Sequence, residues 1–170
     1  LEIWNRDFVP LGAENFGISA EKIEHVLYRI TACNQLQCNP KAIVLMIGTN
    51  NLGIGARHGA PSTPEQIAEG IGNLLKIMKE KVPDSKLLLV AVTPRGGPYP
   101  TARINTFLPE IARKYGAVYV DPIPVMTNNT GNSKDRTVFR DGLHFSPKGY
   151  ELYASVLLPA LKEALQKGKQ

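Results

Sequence analysis

The sequence contains few of the residues that build disulfide scaffolds or metal centres. It has two cysteines, Cys33 and Cys38, and three histidines. Two cysteines are too few for a disulfide framework, and no group of cysteines and histidines has the spacing of a zinc site. We expect two ordinary thiols near a helix end, although an oxidising compartment would allow them to pair. No metal or other cofactor is expected.

Long apolar runs and leader patterns are also missing. No run approaches the roughly 20 apolar residues that span a bilayer, so no membrane span is predicted. No charged start is followed by a short apolar stretch, as in a signal peptide. The first residue is Leu1 rather than Met. The natural start is therefore expected to have been removed or to lie outside this sequence, which leaves the compartment, cytoplasmic or secreted, open.

Basic residues are in excess, but they are not clustered. The formal net charge is +5 at pH 7, and the sequence pI is about 9.3. Lysines and arginines are spread along the chain, and no basic run is interleaved with aromatic residues. The sequence therefore argues against a nucleic-acid partner and supports only a mild preference for anionic substrates or surfaces.

The length and composition fit one ordinary globular domain. The 170 residues include 43% apolar and 21% charged residues, which is enough apolar content to bury a core. No internal repeat, low-complexity segment or linker divides the chain. A single domain over residues 1–170 is predicted.

Apolar patterns predict strands that alternate with helices. Short apolar runs predict four strands, near residues 13–18, 42–47, 87–92 and 117–120. The continuous run at 42–47 is typical of a strand covered on both faces. Helices are predicted over residues 21–31, from Thr63 onward, around 104–115 and from Ser146 onward. Pro159 is expected to kink or break the last helix.

This alternation predicts an α/β fold with three layers, a doubly wound parallel sheet between two helical layers. In such sheets, ligands bind at the carboxyl ends of the strands, where the loops gather. Four polar clusters fall in the loops of this pattern, at residues 19–21, 48–51, 93–97 and 141–144. We therefore expect an active site where these four loops meet.

Asp141 and His144 are the sharpest chemical feature of these clusters. A histidine beside a carboxylate can act as a general base, because the carboxylate fixes its tautomer and supports the imidazolium. An isolated Asp-x-x-His pattern also occurs in solvated loops, so the spacing alone leaves both interpretations open. Metal binding is disfavoured because no second histidine or paired carboxylate lies at ligand spacing.

Asn50 follows a predicted buried strand in the sequence Gly-Thr-Asn-Asn. Its side-chain amide could donate to an oxyanion, although glycine and asparagine are also ordinary turn residues. The nearby Gly53-Ile54-Gly55 lacks the third glycine of a dinucleotide-binding loop, and the next helix starts too late. A nucleotide cofactor is therefore not predicted.

Taken together, these segments resemble the SGNH (GDSL-like) hydrolase family, in its platelet-activating-factor acetylhydrolase-like branch. The resemblance covers nearly the whole chain. It rests on Asn-Phe-Gly-Ile-Ser-Ala at 15–20, Gly-Thr-Asn at 48–50 and Asp-Gly-Leu-His-Phe-Ser at 141–146. The amino-acid sequences at 24–29 and 93–96 also resemble those of that branch. Three ordered motifs are far more specific than any one of them.

The resemblance implies a role for each site residue. His144 would be the general base, and Asp141 would be its orienting carboxylate. Asn50 would donate its side-chain amide to the oxyanion hole, and the backbone N–H of Ala20 would be the second donor. Family members usually have glycine at this last position. A backbone donor survives the change to alanine unless the site needs a positive φ, so we expect Ala20 to be tolerated.

The family's nucleophilic serine lies in a Gly-Asp-Ser motif at the end of the first strand, and this sequence contains no Gly-Asp-Ser. The usual strand order 2-1-3-4-5 places that strand in the middle of the sheet. The four strands predicted here would be the second to the fifth. The first central strand is therefore expected to be absent from this sequence, cleaved, or supplied by another chain. Ser19 is a weaker candidate nucleophile.

The predicted function is a serine-type esterase that removes small acyl groups through an acyl-enzyme. This chain alone is expected to be inactive because it lacks the serine. The alternatives are a non-catalytic SGNH-fold binding or scaffold protein and an acetyl-sugar esterase. The expected partner is a small-molecule ester substrate, with a homo-oligomer or a complementing N-terminal segment as a further possibility.

Overall fold

Three parallel strands form the centre of the fold. In the computed structural model, which describes residues 2–53 and 60–166, these are β1 (Ala42–Leu45), β2 (Lys86–Val90) and β3 (Val118–Val120). They lie in the order β1-β2-β3, with Ala42 opposite Lys86 and Leu88 opposite Val118. The parallel sheet and its surrounding helices confirm the predicted α/β class.

Seven α-helices accompany the strands in the described residues: α1 (Glu2–Asp7), α2 (Ile23–Thr31), α3 (Pro64–Lys81), α4 (Thr101–Asn105), α5 (Leu108–Lys114), α6 (Ile123–Thr127) and α7 (Pro147–Gln166). The start of α3 is the predicted capping box. The Thr63 hydroxyl accepts from the Gln66 N–H, and the Gln66 side chain accepts from the Thr63 N–H. These bonds satisfy backbone donors that the first helical turn leaves unpaired.

The central strand shows how the two helical layers cover the sheet. Leu87 and Leu89 pack into the cluster formed by α2 to α5, whereas Leu88 and Val90 pack against α7. All four side chains are at most 2% exposed. Successive side chains of a strand point to opposite faces, so a continuous apolar run is the pattern that a strand covered on both faces requires. The three-layer prediction is confirmed.

The prediction that residues 42–47 are covered on both faces is wrong for one face. Val44 is 38% exposed and Met46 is 40% exposed. Among the described residues, β1 pairs only with β2, so its other edge is free. Neighbouring strands and their helices supply the cover of a sheet face, and β1 has them on one side only. This arrangement is consistent with a missing neighbouring strand.

The strand predicted near residues 13–18 is also wrong, because this segment contains no strand in the structure. Phe16 is 43% exposed and Ile18 is 57% exposed. A strand needs a partner for its backbone groups, and no described strand lies beside this segment to accept or donate those hydrogen bonds. The apolar residues are present, but the pairing that would order them as a strand is not.

Two helix predictions need correction at prolines. The helix expected around 104–115 is divided into α4 and α5, and α4 ends at Asn105. Pro109 lacks the N–H that would bond to the Asn105 carbonyl, so a continuous helix would lose that bond and meet the proline ring. In contrast, α7 continues through Pro159, so of the expected kink or break the break does not occur. Its buried residues Leu157 and Leu161, on either side of the proline, anchor both parts to the sheet.

Candidate active site

Asp141 and His144 form a close pair in the loop before α7. His144 Nδ1 lies 2.6 Å from Asp141 Oδ2. The other carboxylate oxygen, Oδ1, accepts from the His144 N–H at 2.8 Å and the Leu143 N–H at 3.0 Å. Both side chains are more than half exposed to solvent. The loop therefore presents an imidazole that is held by a carboxylate and open on its other side.

The hydrogen bonds decide which nitrogen carries the proton. The side-chain bond to His144 and the two backbone N–H donors hold the pKa of Asp141 well below its usual range. Asp141 is therefore ionised and accepts, so Nδ1 of His144 is the protonated nitrogen in the neutral ring. Nε2 is left with its lone pair, and a base needs that lone pair to take a proton.

The start of α7 and a short backbone bridge fix this loop in place. Ser146 accepts from the Gly149 N–H at 3.1 Å and so caps the helix, while its own N–H donates to the Val138 carbonyl at 2.9 Å. Phe139 and Phe145 form an antiparallel bridge, and Phe139 is fully buried. The exposed Asp141–His144 pair is therefore anchored to a buried part of the structure.

Asn50 lies in a 3₁₀ turn, Thr49–Leu52, that follows β1. The turn begins after Gly48, whose φ of 117° is open only to glycine without strain. Asn50 Nδ2 donates to the Glu21 carbonyl at 2.8 Å. The segment is therefore a turn, and it also holds a side-chain amide against residues 19–21. One of the two amide hydrogens accounts for this bond, and the other is left for a ligand.

The expectation that Ala20 is tolerated is not supported by its conformation. Ala20 has a φ of 63°, in the left-handed region. A change from glycine to alanine was expected to be tolerated only if this position did not need a positive φ. Among the described residues, no backbone carbonyl accepts the Ala20 N–H. The donor is thus present and unpaired, but the alanine Cβ makes this conformation strained.

Replacing Ala20 with glycine is expected to stabilise the fold by up to about 1 kcal/mol. Relief of left-handed strain is worth about 1–2 kcal/mol, and the added flexibility of glycine removes about 0.5–1 kcal/mol of that gain. Chemical denaturation of the two proteins measures the difference. Ala13→Gly is the matched control because the φ of Ala13 is not positive. Ala13→Gly should destabilise, and equal effects of the two changes would contradict the strain.

Hydrogen bonds join the four predicted loops into one assembly. Asn50 binds the Glu21 carbonyl. The Arg95 guanidinium donates to the Thr49 carbonyl at 2.9 Å. The Gly96 N–H donates to the Gly142 carbonyl at 2.7 Å. Residues 19–21, 48–51, 93–97 and 141–144 are thereby connected in sequence order.

Sequence reasoning did not find the internal supports of this assembly. Glu21 is buried and pairs with Arg29 at 2.6 Å, eight residues along the chain. Asn51 accepts from the Ile23 N–H and donates to Glu24. These groups carry no sequence pattern of their own, because the partners belong to different elements. The polar residues Glu21 and Glu24 at the start of the predicted helix are the only signal in the sequence.

Several other expectations concern groups outside this assembly. Ser19 is exposed, and no serine among the described residues is hydrogen bonded to His144. Cys33 and Cys38 are free and exposed. In residues 2–53 and 60–166, no group of three or more candidate ligands is placed to hold a metal ion. None of the helices in these residues has the length and hydropathy needed to cross a bilayer. Ile54 and Gly55 lie outside the described residues.

Comparison with known proteins identifies similar sequences. The family model described as GDSL-like Lipase/Acylhydrolase family matches residues 3–152. Platelet-activating factor acetylhydrolase IB subunit alpha1 from Bos taurus is 32% identical over 155 residues, which cover 88% of this chain. The matched region spans 63% of the length of that relative.

Solved structures with this fold include a GDSL-like lipase from Bacteroides thetaiotaomicron VPI-5482. Its TM-score is 0.76 at 18% identity, with 98% of this chain and 81% of that chain covered. A family 3 carbohydrate esterase from Talaromyces cellulolyticus gives a TM-score of 0.70 at 20% identity, covering 89% of this chain and 71% of that chain. At these identities the likeness shows the fold.

Proposed function

The chain belongs to the GDSL-like lipase/acylhydrolase family, and we propose that the full-length protein hydrolyses esters of small acyl groups through an acyl-enzyme. The observation that carries this proposal is the Asp141–His144 pair, with its 2.6 Å contact and its open Nε2. Such a pair activates a hydroxyl nucleophile when the hydroxyl lies within hydrogen-bond reach of Nε2.

Each residue has a defined task in this reaction. His144 Nε2 takes the proton of a serine hydroxyl as the serine oxygen attacks the ester carbonyl carbon. The Asn50 amide and the Ala20 N–H stabilise the oxyanion of the tetrahedral intermediate. Protonated His144 then gives its proton to the leaving alcohol, and an acyl-serine remains. Water repeats the sequence, which releases the carboxylic acid and returns the proton to the serine.

The serine is proposed to come from residues outside these 170, on a strand that pairs with the free edge of β1. The sequence contains no Gly-Asp-Ser, and Ser19 makes no hydrogen bond to His144. The exposed apolar side chains of Val44 and Met46 beside that edge favour an additional element there. On this proposal, residues 1–170 are one domain that lacks its N-terminal strand.

Acetyl is the proposed acyl group, and two classes of alcohol are candidates. A relative is named a platelet-activating factor acetylhydrolase, and a structural neighbour is named a carbohydrate esterase. The sequence relative favours a phospholipid-like substrate because its similarity extends over 88% of the chain at 32% identity. Initial rates with an acetylated phospholipid analogue and with acetylated sugars would separate the two classes.

Labelling with a fluorophosphonate tests the mechanism. Serine displaces fluoride from the probe, so a phosphonyl adduct is retained and adds a known mass. The full-length natural protein should gain one adduct, located outside these 170 residues, and this chain should gain none. An adduct on Ser19 or another serine of this chain would contradict the proposed nucleophile. No adduct on either protein would favour the non-catalytic binding protein.

A further inference from the structure

Arg95 is a buried cation that has no carboxylate partner among the described residues. Only 8% of the residue is exposed. Its one hydrogen-bond acceptor in the described part of the chain is the Thr49 carbonyl, 2.9 Å from Nη1, and its guanidinium stacks on the Tyr99 ring at 4.2 Å. In contrast, the partly buried Arg29 is neutralised by Glu21 at 2.6 Å. Arg95 therefore keeps a positive charge that no carboxylate of the described residues neutralises, next to the turn that contains Asn50.

Burying the Arg95 guanidinium in this way costs free energy unless a negative charge binds beside it. Desolvation by burial lowers the pKa of Arg95, although an arginine remains protonated in proteins. A buried ion is normally paired, because burial removes it from water. Here a carbonyl dipole and an aromatic face supply only part of the compensation. A developing negative charge near Asn50 would supply the rest.

The position of Arg95 also joins the two halves of the site. Its side chain holds the Thr49 carbonyl, one residue before Asn50. The next residue, Gly96, donates its N–H to the Gly142 carbonyl in the loop of His144. Oxyanion donors and base must both reach the same reacting group, so the spacing between these two loops determines whether the site works.

We infer that Arg95 is a positioning residue of the proposed esterase site. It fixes the turn at Thr49 so that the free amide hydrogen of Asn50 faces the oxyanion, and its charge adds to the stabilisation of that anion. The inference rests on the proposed function and adds a residue to it. Charge close to an oxyanion is effective in a water-poor region, because the local dielectric constant is low.

The test compares Arg95→Met and Arg95→Lys with Arg103→Met in the full-length protein. Arg103 is the matched control because it also lies over an aromatic ring, Phe107, but pairs with Glu65 at an exposed position. Arg95→Met should lower kcat about 10- to 100-fold with KM within about twofold, because the lost stabilisation is of the transition state. Arg95→Lys should recover part of the loss, and Arg103→Met should behave as wild type.

A double-mutant cycle with Asn50→Ala tests whether Arg95 acts through Asn50. If it does, Arg95→Met should cost no more than about threefold in kcat when Asn50 is already absent. An equal loss in both backgrounds would overturn the positioning role, and a change in KM alone would overturn both the positioning role and the effect of the charge. Thermal unfolding of each variant identifies a simple folding defect. If Arg95→Met is unstable, Arg95→Lys is the second variant with which the inference is tested.

The outcome can be separated from failure of the proposed function. If the wild-type protein hydrolyses no ester and takes up no fluorophosphonate, the proposed function is wrong. The side-chain amide signals of Asn50 in a nitrogen–proton NMR spectrum still report its position. Arg95→Met should move these signals, and Arg103→Met should not. Unmoved Asn50 signals in Arg95→Met would overturn the positioning role by themselves.

Discussion

Replacing His144 with alanine in the full-length protein is expected to lower kcat/KM for a small-acyl ester by about 10³-fold or more, because general-base catalysis contributes about 10²–10⁴-fold and the nucleophile depends on it. In the proposed mechanism the imidazole held by Asp141 takes the proton of the serine, so removing the imidazole removes the general base. The measurement is the initial rate on an acetyl ester, with thermal unfolding to show that the variant is folded. Retention of wild-type activity would end the proposed mechanism.

Two further variants show whether the loss of activity in His144→Ala comes from the Asp141–His144 pair. His25→Ala is the control, because His25 Nδ1 accepts from the Lys22 N–H at the start of α2, whereas the partners of Asp141 are Leu143 and His144. Its activity should stay near wild type. Asp141→Asn should lose activity in the same direction as His144→Ala, because an amide does not hold the Nδ1–H tautomer. The hydrogen bonds to Asp141 depress its pKa, so its carboxylate stays ionised on mild acidification and remains able to accept from His144.

The sequence predicted the fold well for strands that are covered by helices on both faces and paired with strands on both edges. The continuous apolar run of β2 lies at the centre of the sheet, and both of its faces are buried. The run of β1 looks the same in sequence, but Val44 and Met46 are exposed because one side of the strand has no neighbour. The segment at 13–18 failed for the same reason. Strand formation depends on non-local partners, and local patterns contain no information about a partner that is absent.

The candidate site was predictable where its contacts are local. Asp141 and His144 are three residues apart, and this spacing together with the family resemblance predicted that the two side chains would pair. The bond from Arg95 to Thr49 joins residues 46 positions apart, and the bond from Asn50 to Glu21 joins residues 29 apart. Such contacts follow from the packing of separate elements. The left-handed conformation of Ala20 could not be predicted for a different reason. Alanine rarely adopts a positive φ, so an alanine in the sequence does not indicate one.

Asn50→Ala is expected to lower kcat by about 10²–10³-fold, the usual effect of removing one oxyanion donor. The loss should appear in kcat more than in KM, because the oxyanion exists only in the transition state and the intermediate. Asn51→Ala is a matched control from the next position. Asn51 is 7% exposed, and its side chain holds the Ile23 N–H and Glu24, so its loss should cost about 1–3 kcal/mol of stability and leave kcat near wild type. Steady-state kinetics and chemical denaturation of both variants measure the contrast. If Asn50→Ala lost stability but kept kcat, Asn50 would be a turn residue, and the oxyanion hole would have to be built from other donors.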